Sequence, residues 1–256
     1  MLDHIDTGYE GKFDFPAREH APAITYLLAS VPRAGSTHFS HLLWRTGCLG
    51  APLEYLNFDR FGPYGFAARS PEAQQRLWRS VLRRRCSPNG VFGLKAFPTQ
   101  LQTLQHTNAS LLADVLATIL PRDRSPRIVY LRRRDRIAQA VSYARASASG
   151  IWRKEQEGGG PTTVEYSDEA VEAAERGIAF QESVWAKMFS DLAIEPLTLW
   201  HEDVLGEPDA VTKRVADYLG VPIDRAAAVK VPEIRKQSPG DAPEWAARYA
   251  ESRTPD

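Results

Sequence analysis

The chain has 256 residues, with 32 basic and 32 acidic side chains, 43% hydrophobic and 25% charged residues. That length suits one large α/β domain or two small ones, and the balance is that of a soluble globular protein. A net charge of zero gives no global field toward nucleic acid or an anionic membrane, no run approaches the roughly 20 apolar residues of a membrane span, and Cys48 and Cys86 suit free thiols in a reducing compartment.

Residues 1–22 are polar and acidic, lack the apolar core of a signal peptide, and read as an N-terminal extension of a cytoplasmic protein. Ile24 and Tyr26–Ala29 form a short apolar run ending at turn residues, which predicts a buried strand. From Ser36 the spacing of Phe39, Leu42 and Leu43 is helical and stops near Gly47. A loop rich in Pro, Gly and aromatics runs from Cys48 to about Ser70. Pro71 then opens a helix through Leu77, Val81 and Leu82, with Arg83, Arg84 and Arg85 on its far face. Val91–Phe97 is a second strand, and Leu111–Leu120 a helix behind a cap at Asn108 or Ser110. Arg127–Leu131 is a third strand, and Asp135 starts a helix through Ile137, Ala140, Val141 and Ala144. Lys154–Ser167, with three glycines and a proline, reads as a flexible lid or loop. A long helix from Asp168 to about Asp191, a strand at Leu197–Trp200 and a helix stopping at Gly220 follow. The tail is periodic only near Trp245–Ala250. Strand alternates with helix, which predicts a three-layer α/β fold with a mainly parallel central sheet, a single domain over residues 1–256.

Two turns carry the chemistry. After the first strand, "PRAGST" supplies Arg33, Gly35, Ser36 and Thr37 before a helix. A glycine lets backbone N–H groups approach an oxyanion, the helix start adds unpaired donors and a positive dipole end, and an arginine forks onto phosphate oxygens. The same Gly-Ser-Thr turn can also be an ordinary helix cap. No lysine follows the glycine, so the NTPase pattern GxxxxGK[ST] is absent. After the third strand, "LRRRDRIAQAVSYARA" puts arginines where a parallel strand leaves the sheet, with Ser142 two turns into the next helix. Two basic, hydroxyl-bearing sites at strand ends imply a ligand with two separated phosphates.

This pair of motifs resembles the sulfotransferase superfamily, which binds 3′-phosphoadenosine 5′-phosphosulfate (PAPS). Within it the chain is most similar to the bacterial trehalose 2-sulfotransferase family. "RAGST", "TGCLGAPLEYLN", "VFGLKAF", "RRDRIAQAVS", "GIWR" and "RKQSPGDAPEWAARY" carry the likeness from about Tyr26 to Tyr249. The resemblance implies a P-loop-like sulfotransferase fold that uses PAPS, leaves PAP as product and needs no metal. Arg33, Ala34, Gly35, Ser36 and Thr37 would hold the 5′-phosphosulfate, and Arg133 and Ser142 the 3′-phosphate, with Arg134 a rival by spacing. Residues 230–256 would close over the cofactor through Arg235 and Lys236, where Lys236 stands in place of an expected arginine and loses its fork.

Sulfuryl transfer to an alcohol needs in-line positioning, charge stabilisation and a base for the acceptor hydroxyl. Eukaryotic cytosolic relatives use a histidine shortly after a lysine on the second strand. Here Lys95 is present but Phe97 stands at the histidine's place, and His106 further on reads as a surface helix residue. The bacterial family uses a glutamate in the loop after the first helix, which carries over to Glu54. Between Pro52, Leu53 and Tyr55 its carboxylate is expected to be partly desolvated, which would raise its basicity. Arg33 and Lys95 would be the electrophilic groups, and Glu54, Tyr55, Asn57 and Trp152 the acceptor's neighbours. The family's Gly-Glu-Pro reads Gly50-Ala51-Pro52 here, so an acid near the sugar is missing and the expected acceptor is a carbohydrate hydroxyl, trehalose-like or related. The family also implies a homodimer. A kinase-like phosphotransferase, against which the missing lysine speaks, and a non-catalytic PAP-binding protein are the alternatives. The histidines and cysteines show no metal-ligand spacing.

Overall fold

The computed structural model describes residues 6–157, 164–235, 237 and 240–253. In chain order the main elements are β1 (Ile24–Ala29), α1 (Ser36–Arg45), α2 (Pro71–Arg84), β2 (Val91–Ala96), α3 (Pro98–Thr107), α4 (Ala109–Ile119), β3 (Ile128–Arg132), α5 (Arg136–Ser149), α6 (Asp168–Asp191), β4 (Leu197–Trp200), α7 (His201–Gly206), α8 (Pro208–Leu219) and α9 (Ala242–Glu251). The four strands form one parallel sheet in the order β2-β1-β3-β4. Every parallel pairing needs a crossover, and the helices supply it on both faces.

Side chains alternate along each strand, so the sheet divides two cores. Leu27 and Ala29, Phe92, Leu94 and Ala96, and Ile128 and Tyr130 face one side, packed on α2, α4, α5, α6 and α9. Tyr26 and Leu28, Val91, and Val129 and Leu131 face the other, against α1, α7 and α8. The expected three-layer α/β architecture is what the chain adopts. From β1 the chain crosses first to β2 on one side and later to β3 on the other. The carboxyl ends of β1 and β3 therefore flank the point where strand order reverses, the place where open α/β sheets bind ligands.

The strand ends fall within a residue or so of the sequence expectation. The helix expected from Leu111 begins at Ala109, because Asn108 rather than Ser110 caps it, its Oδ1 accepting from the Leu111 N–H at 3.1 Å. Of two short helices, α3 was anticipated only at His106 because it lacks a sustained apolar stripe, and α7, only six residues long, was not anticipated. The lid assigned to Lys154–Ser167 opens with one 3₁₀ turn, Lys154–Gln156, while residues 158–163 lie outside the described residues.

The N-terminal extension is tied down from Gly8 to Asp14. Arg85 was expected on the far face of α2, but its side chain is buried. It donates to the carbonyls of Gly8 (2.8 Å), Tyr9 (3.0 Å) and Glu10 (3.2 Å) and pairs with Asp14 at 2.9 Å. Among the described residues no helix is long and apolar enough to cross a membrane.

Candidate active site

The turn after β1 ends at Gly35, whose φ of +77° starts α1 with no side-chain cap. By contrast α2, α4, α5 and α6 are capped by Ser70, Asn108, Asp135 and Ser167, whereas α3, α7, α8 and α9 share the missing side-chain cap. The first N–H groups of α1 thus lack a capping oxygen, as an anion seat requires. Only glycine fits at 35: besides the left-handed φ, a Cβ there would lie 2.1 Å from His201 Nδ1. Ala34 and Ser36 are buried beside it.

Arg33 is also left-handed, at φ +63°, the kind of strain that clusters at binding sites. Its guanidinium is fixed on three sides: Nε donates to Ser142 Oγ at 2.8 Å, one terminal nitrogen to the Trp152 carbonyl at 3.0 Å, and the other to the Gln237 side-chain oxygen. Arg133 reaches the Arg33 carbonyl at 3.4 Å. Burial, and then the like charges of Arg133 and Arg145, push the Arg33 guanidinium down to about 10. Two further arginines within electrostatic reach of Arg33 suit a polyanion.

The arginine run after β3 is sorted by acids. Arg132 and Arg136 share the buried Glu182, at 3.1 and 2.5 Å. Arg134 is exposed, forks onto Asp203 at 2.7 and 2.9 Å and lies over the Trp200 ring. Arg133, half-buried, turns toward the β1–α1 turn. Of the two rivals for the second anion site, the geometry brings Arg133 and not Arg134 to Arg33, whose guanidinium meets Ser142.

Glu54 lies in the loop between α1 and α2, which joins the sheet edge through a bridge from Leu53 to Leu94 on β2. That bridge sets Glu54 against Lys95, with Oε1 2.8 Å from Nζ and side chains 15% and 1% exposed. The same ammonium donates to Thr37 Oγ1 at 3.0 Å, so one buried lysine links the anion turn to the carboxylate. Gln100 donates to Glu54 Oε2 at 3.0 Å and Asn57 at 3.4 Å. The expected rise in basicity is not what the surroundings give. Burial does push the Glu54 carboxyl up, but the Lys95 charge, the Lys95 and Gln100 hydrogen bonds and the Arg153 charge outweigh it and hold it below the ordinary carboxylate value. Burial likewise holds the Lys95 ammonium below its ordinary value, against the pull of Glu54.

The other expected residues divide. Tyr55 is not at the acceptor's side: it is fully buried, stacked on Phe92, with its hydroxyl donating to the Ala51 carbonyl. Tyr55 lies two residues beyond the bridged Leu53 and so shares its buried face under the strand period, while Glu54 between them points the other way. Trp152 is 44% exposed and packs its ring against Tyr143. In the tail, Arg235 is exposed and Lys236 lies outside the described residues, but its neighbour Gln237 spans Arg33 and the Ile151 carbonyl. His106 is exposed on α3. Among the described residues no three His, Cys, Asp or Glu side chains cluster as a metal site would.

Sequence reading missed several residues of this region. Arg145 lies one helical turn beyond Ser142, a spacing that was legible. Arg153 follows Trp152 in the "GIWR" motif; its charge acts on Glu54, and it donates to the Thr7 carbonyl at 3.2 Å. Tyr9 receives the Glu54 N–H on its hydroxyl at 3.2 Å and meets Tyr64 edge-on, a contact nothing local announces.

The family model of the Stf0 sulphotransferases matches residues 25–252, from β1 through the end of α9. The chain belongs to the Stf0 sulphotransferase family. It is a sulfotransferase. It is 27% identical over 255 residues to the trehalose 2-sulfotransferase of Mycobacterium tuberculosis (strain ATCC 35801 / TMC 107 / Erdman), covering 88% of this chain and 93% of that one. To the trehalose 2-sulfotransferase of Mycolicibacterium smegmatis it is 25% identical over 254 residues, with the same coverage. Among solved structures it is weakly similar to the sulfotransferase domain of the Synechococcus PCC 7002 olefin synthase (TM-score 0.40, 14% identity, 91% of this chain and 97% of that one). Retinol dehydratase in complex with androsterone and the inactive cofactor PAP is comparably distant (TM-score 0.43, 16% identity, 89% and 80%).

Proposed function

We propose that this Stf0 sulfotransferase moves a sulfuryl group from PAPS to a hydroxyl of a carbohydrate, with Glu54 as general base. The observation that carries the reading is the single buried ammonium of Lys95 touching both Thr37 and Glu54. It joins a dianion-binding turn to a carboxylate, the two parts an in-line transfer needs side by side.

The residues present fit PAPS: Arg133 and Arg145 stand within electrostatic reach of Arg33, beside an uncapped helix start. Arg33 and the first turn of α1 would hold the 5′-phosphosulfate, and Arg133 and Ser142 the 3′-phosphate. When bound, PAPS supplies the sulfuryl group: the acceptor oxygen–sulfur bond forms, the sulfur–oxygen bond to PAP breaks, and the acceptor's proton is released. Glu54, ionised at neutral pH by its surroundings, receives that proton on a carboxylate oxygen. Lys95, shared between Glu54 and Thr37, keeps a positive charge between the carboxylate and the turn that would hold the phosphosulfate. Asn57 and Gln100 keep the carboxylate oriented.

A sugar acceptor is favoured by the relatives that are named trehalose 2-sulfotransferases. Trehalose in particular is not, because the loop acid of that family is replaced by Ala51, fully buried under the Tyr55 hydroxyl. The two free, buried cysteines suit a cytoplasmic enzyme. A screen of sugars with labelled PAPS, wild type against Glu54→Gln, tests the reading. Label should pass to at least one sugar without added Mg²⁺, and PAP should raise the melting temperature. Stabilisation by ATP·Mg²⁺ but not by PAP would overturn it.

A further inference from the structure

Where β4 gives way to α7, the segment His201–Asp203 touches both anion turns. On one side the His201 ring packs against Gly35, so closely that glycine alone is accommodated. On the other, both Glu202 carboxylate oxygens accept from the Arg134 N–H at 3.1 Å, and Oε1 also accepts from the Asp135 N–H at 3.2 Å. Asp203 holds the Arg134 fork. None of these three residues has a part in the reaction described above.

The arrangement has two effects. Glu202 occupies backbone donors just ahead of α5, so a ligand phosphate at this turn meets side chains, Arg133 and Ser142, in their place. Asp203 neutralises Arg134, leaving Arg133 as the charge directed at the first turn. Burial opposes ionisation of Glu202, but the N–H groups of Arg134, Glu202 itself and Asp135 outweigh it and keep the carboxyl below its ordinary value. The carboxylate is therefore a fixed anchor at neutral pH.

We infer that His201–Asp203 is a positioning clamp between the two turns, and that Glu202 thereby sets the preference for a nucleotide with two separated phosphates over one carrying a 5′-phosphate alone. The inference rests on the PAPS reading of the two turns. A bisphosphate gains its second contact at full strength only if the α5 turn is already held at the matching distance from the first; otherwise part of that contact is lost to ordering the turn. A 5′-monophosphate engages the β1–α1 turn alone and does not sense the clamp. Neither His201, Glu202 nor Asp203 needs to touch the ligand for this to hold.

Calorimetric titration of PAP and of adenosine 5′-phosphate into wild type, Glu202→Gln and Glu202→Asp tests it. Wild type should prefer PAP. Glu202→Gln should lose about tenfold in PAP affinity, the size of one charge-assisted contact, with the monophosphate within about twofold. Glu202→Asp keeps the charge with a shorter reach and should fall between, and it serves if the glutamine variant does not fold. An unchanged ratio of the two affinities, or an equal loss for both nucleotides, overturns the clamp. A wild type that does not prefer PAP overturns the two-phosphate reading, and the inference with it.

Discussion

Replacing Glu54 by glutamine should damage the protein twice, and the two effects can be separated. The change leaves the Lys95 ammonium, 1% exposed, without its counter-charge. Removing one partner of a buried ion pair costs about 3–5 kcal/mol. Thr37 Oγ1 and the new amide oxygen still solvate the ammonium, and the Glu54 side chain keeps 15% exposure, so the lower end, about 3 kcal/mol, is expected. For a chain of this size that is a fall of about 6–12 °C in melting temperature. Turnover should drop roughly 10²–10⁴-fold, because the amide cannot take the acceptor's proton. The double variant Glu54→Gln/Lys95→Met removes both charges. It should recover most of the lost stability while staying inactive, a coupling that a double-mutant cycle measures directly. Thermal unfolding and label transfer from PAPS on the four proteins give the answer. A Glu54→Gln protein that melts within about 2 °C of wild type, or a double variant less stable than either single, would refute the argument.

Arg133→Ala should weaken PAP binding by about 1–3 kcal/mol while Arg134→Ala leaves it unchanged, since Asp203 already holds the Arg134 fork; calorimetry that finds the reverse moves the second anion site by one residue. Gly35→Ala, which combines a forbidden φ with a Cβ inside the His201 ring, should abolish PAP binding and lower the melting temperature, and a variant that still binds PAP would show that the turn can shift. Burial, reinforced by the charges of Lys95 and Arg153 and opposed by the bond to the Pro232 carbonyl, pushes the His41 imidazole down to about 4 from an ordinary 6.5. The unfolded chain then binds the extra proton between those values, so stability is full above pH 6.5 and falls as the pH drops toward 4; His41→Asn should flatten that part of a denaturation-against-pH curve, and an unaltered slope would assign it to other groups.

The sheet and most of the long helices could be read from periodicity because their side chains sort cleanly onto two faces. Val129 and Leu131 alternating with Ile128 and Tyr130 is such a pattern. The turn with Arg33 and Gly35 was legible as well, because it is a local feature at the end of a parallel strand, and the structure brings the Ser142 picked out on α5 against Arg33. What sequence could not give was pairing across the fold. Nothing in "LRRRDR" says that Asp203, about 70 residues on, removes Arg134 from contention, or that Glu182 takes Arg132 and Arg136. The direction of the Glu54 shift was missed for the same reason. Its neighbours in sequence are apolar, while the lysine that reverses the effect of burial comes from β2.

Arg85 fastens Gly8, Tyr9 and Glu10 beneath the loop that carries Glu54, and the Tyr9 hydroxyl is one hydrogen bond from that residue's backbone. Trimming the chain to Ile24, which the strand boundary invites, would leave the sheet whole and strip the wall beside the carboxylate. An affinity handle pressed against Thr7 would crowd the same spot through Arg153. For anyone redirecting the enzyme to another hydroxyl, the stretch from Thr7 to Glu10 is a lever. Exchanging it between relatives changes the surroundings of Glu54 without disturbing either anion turn.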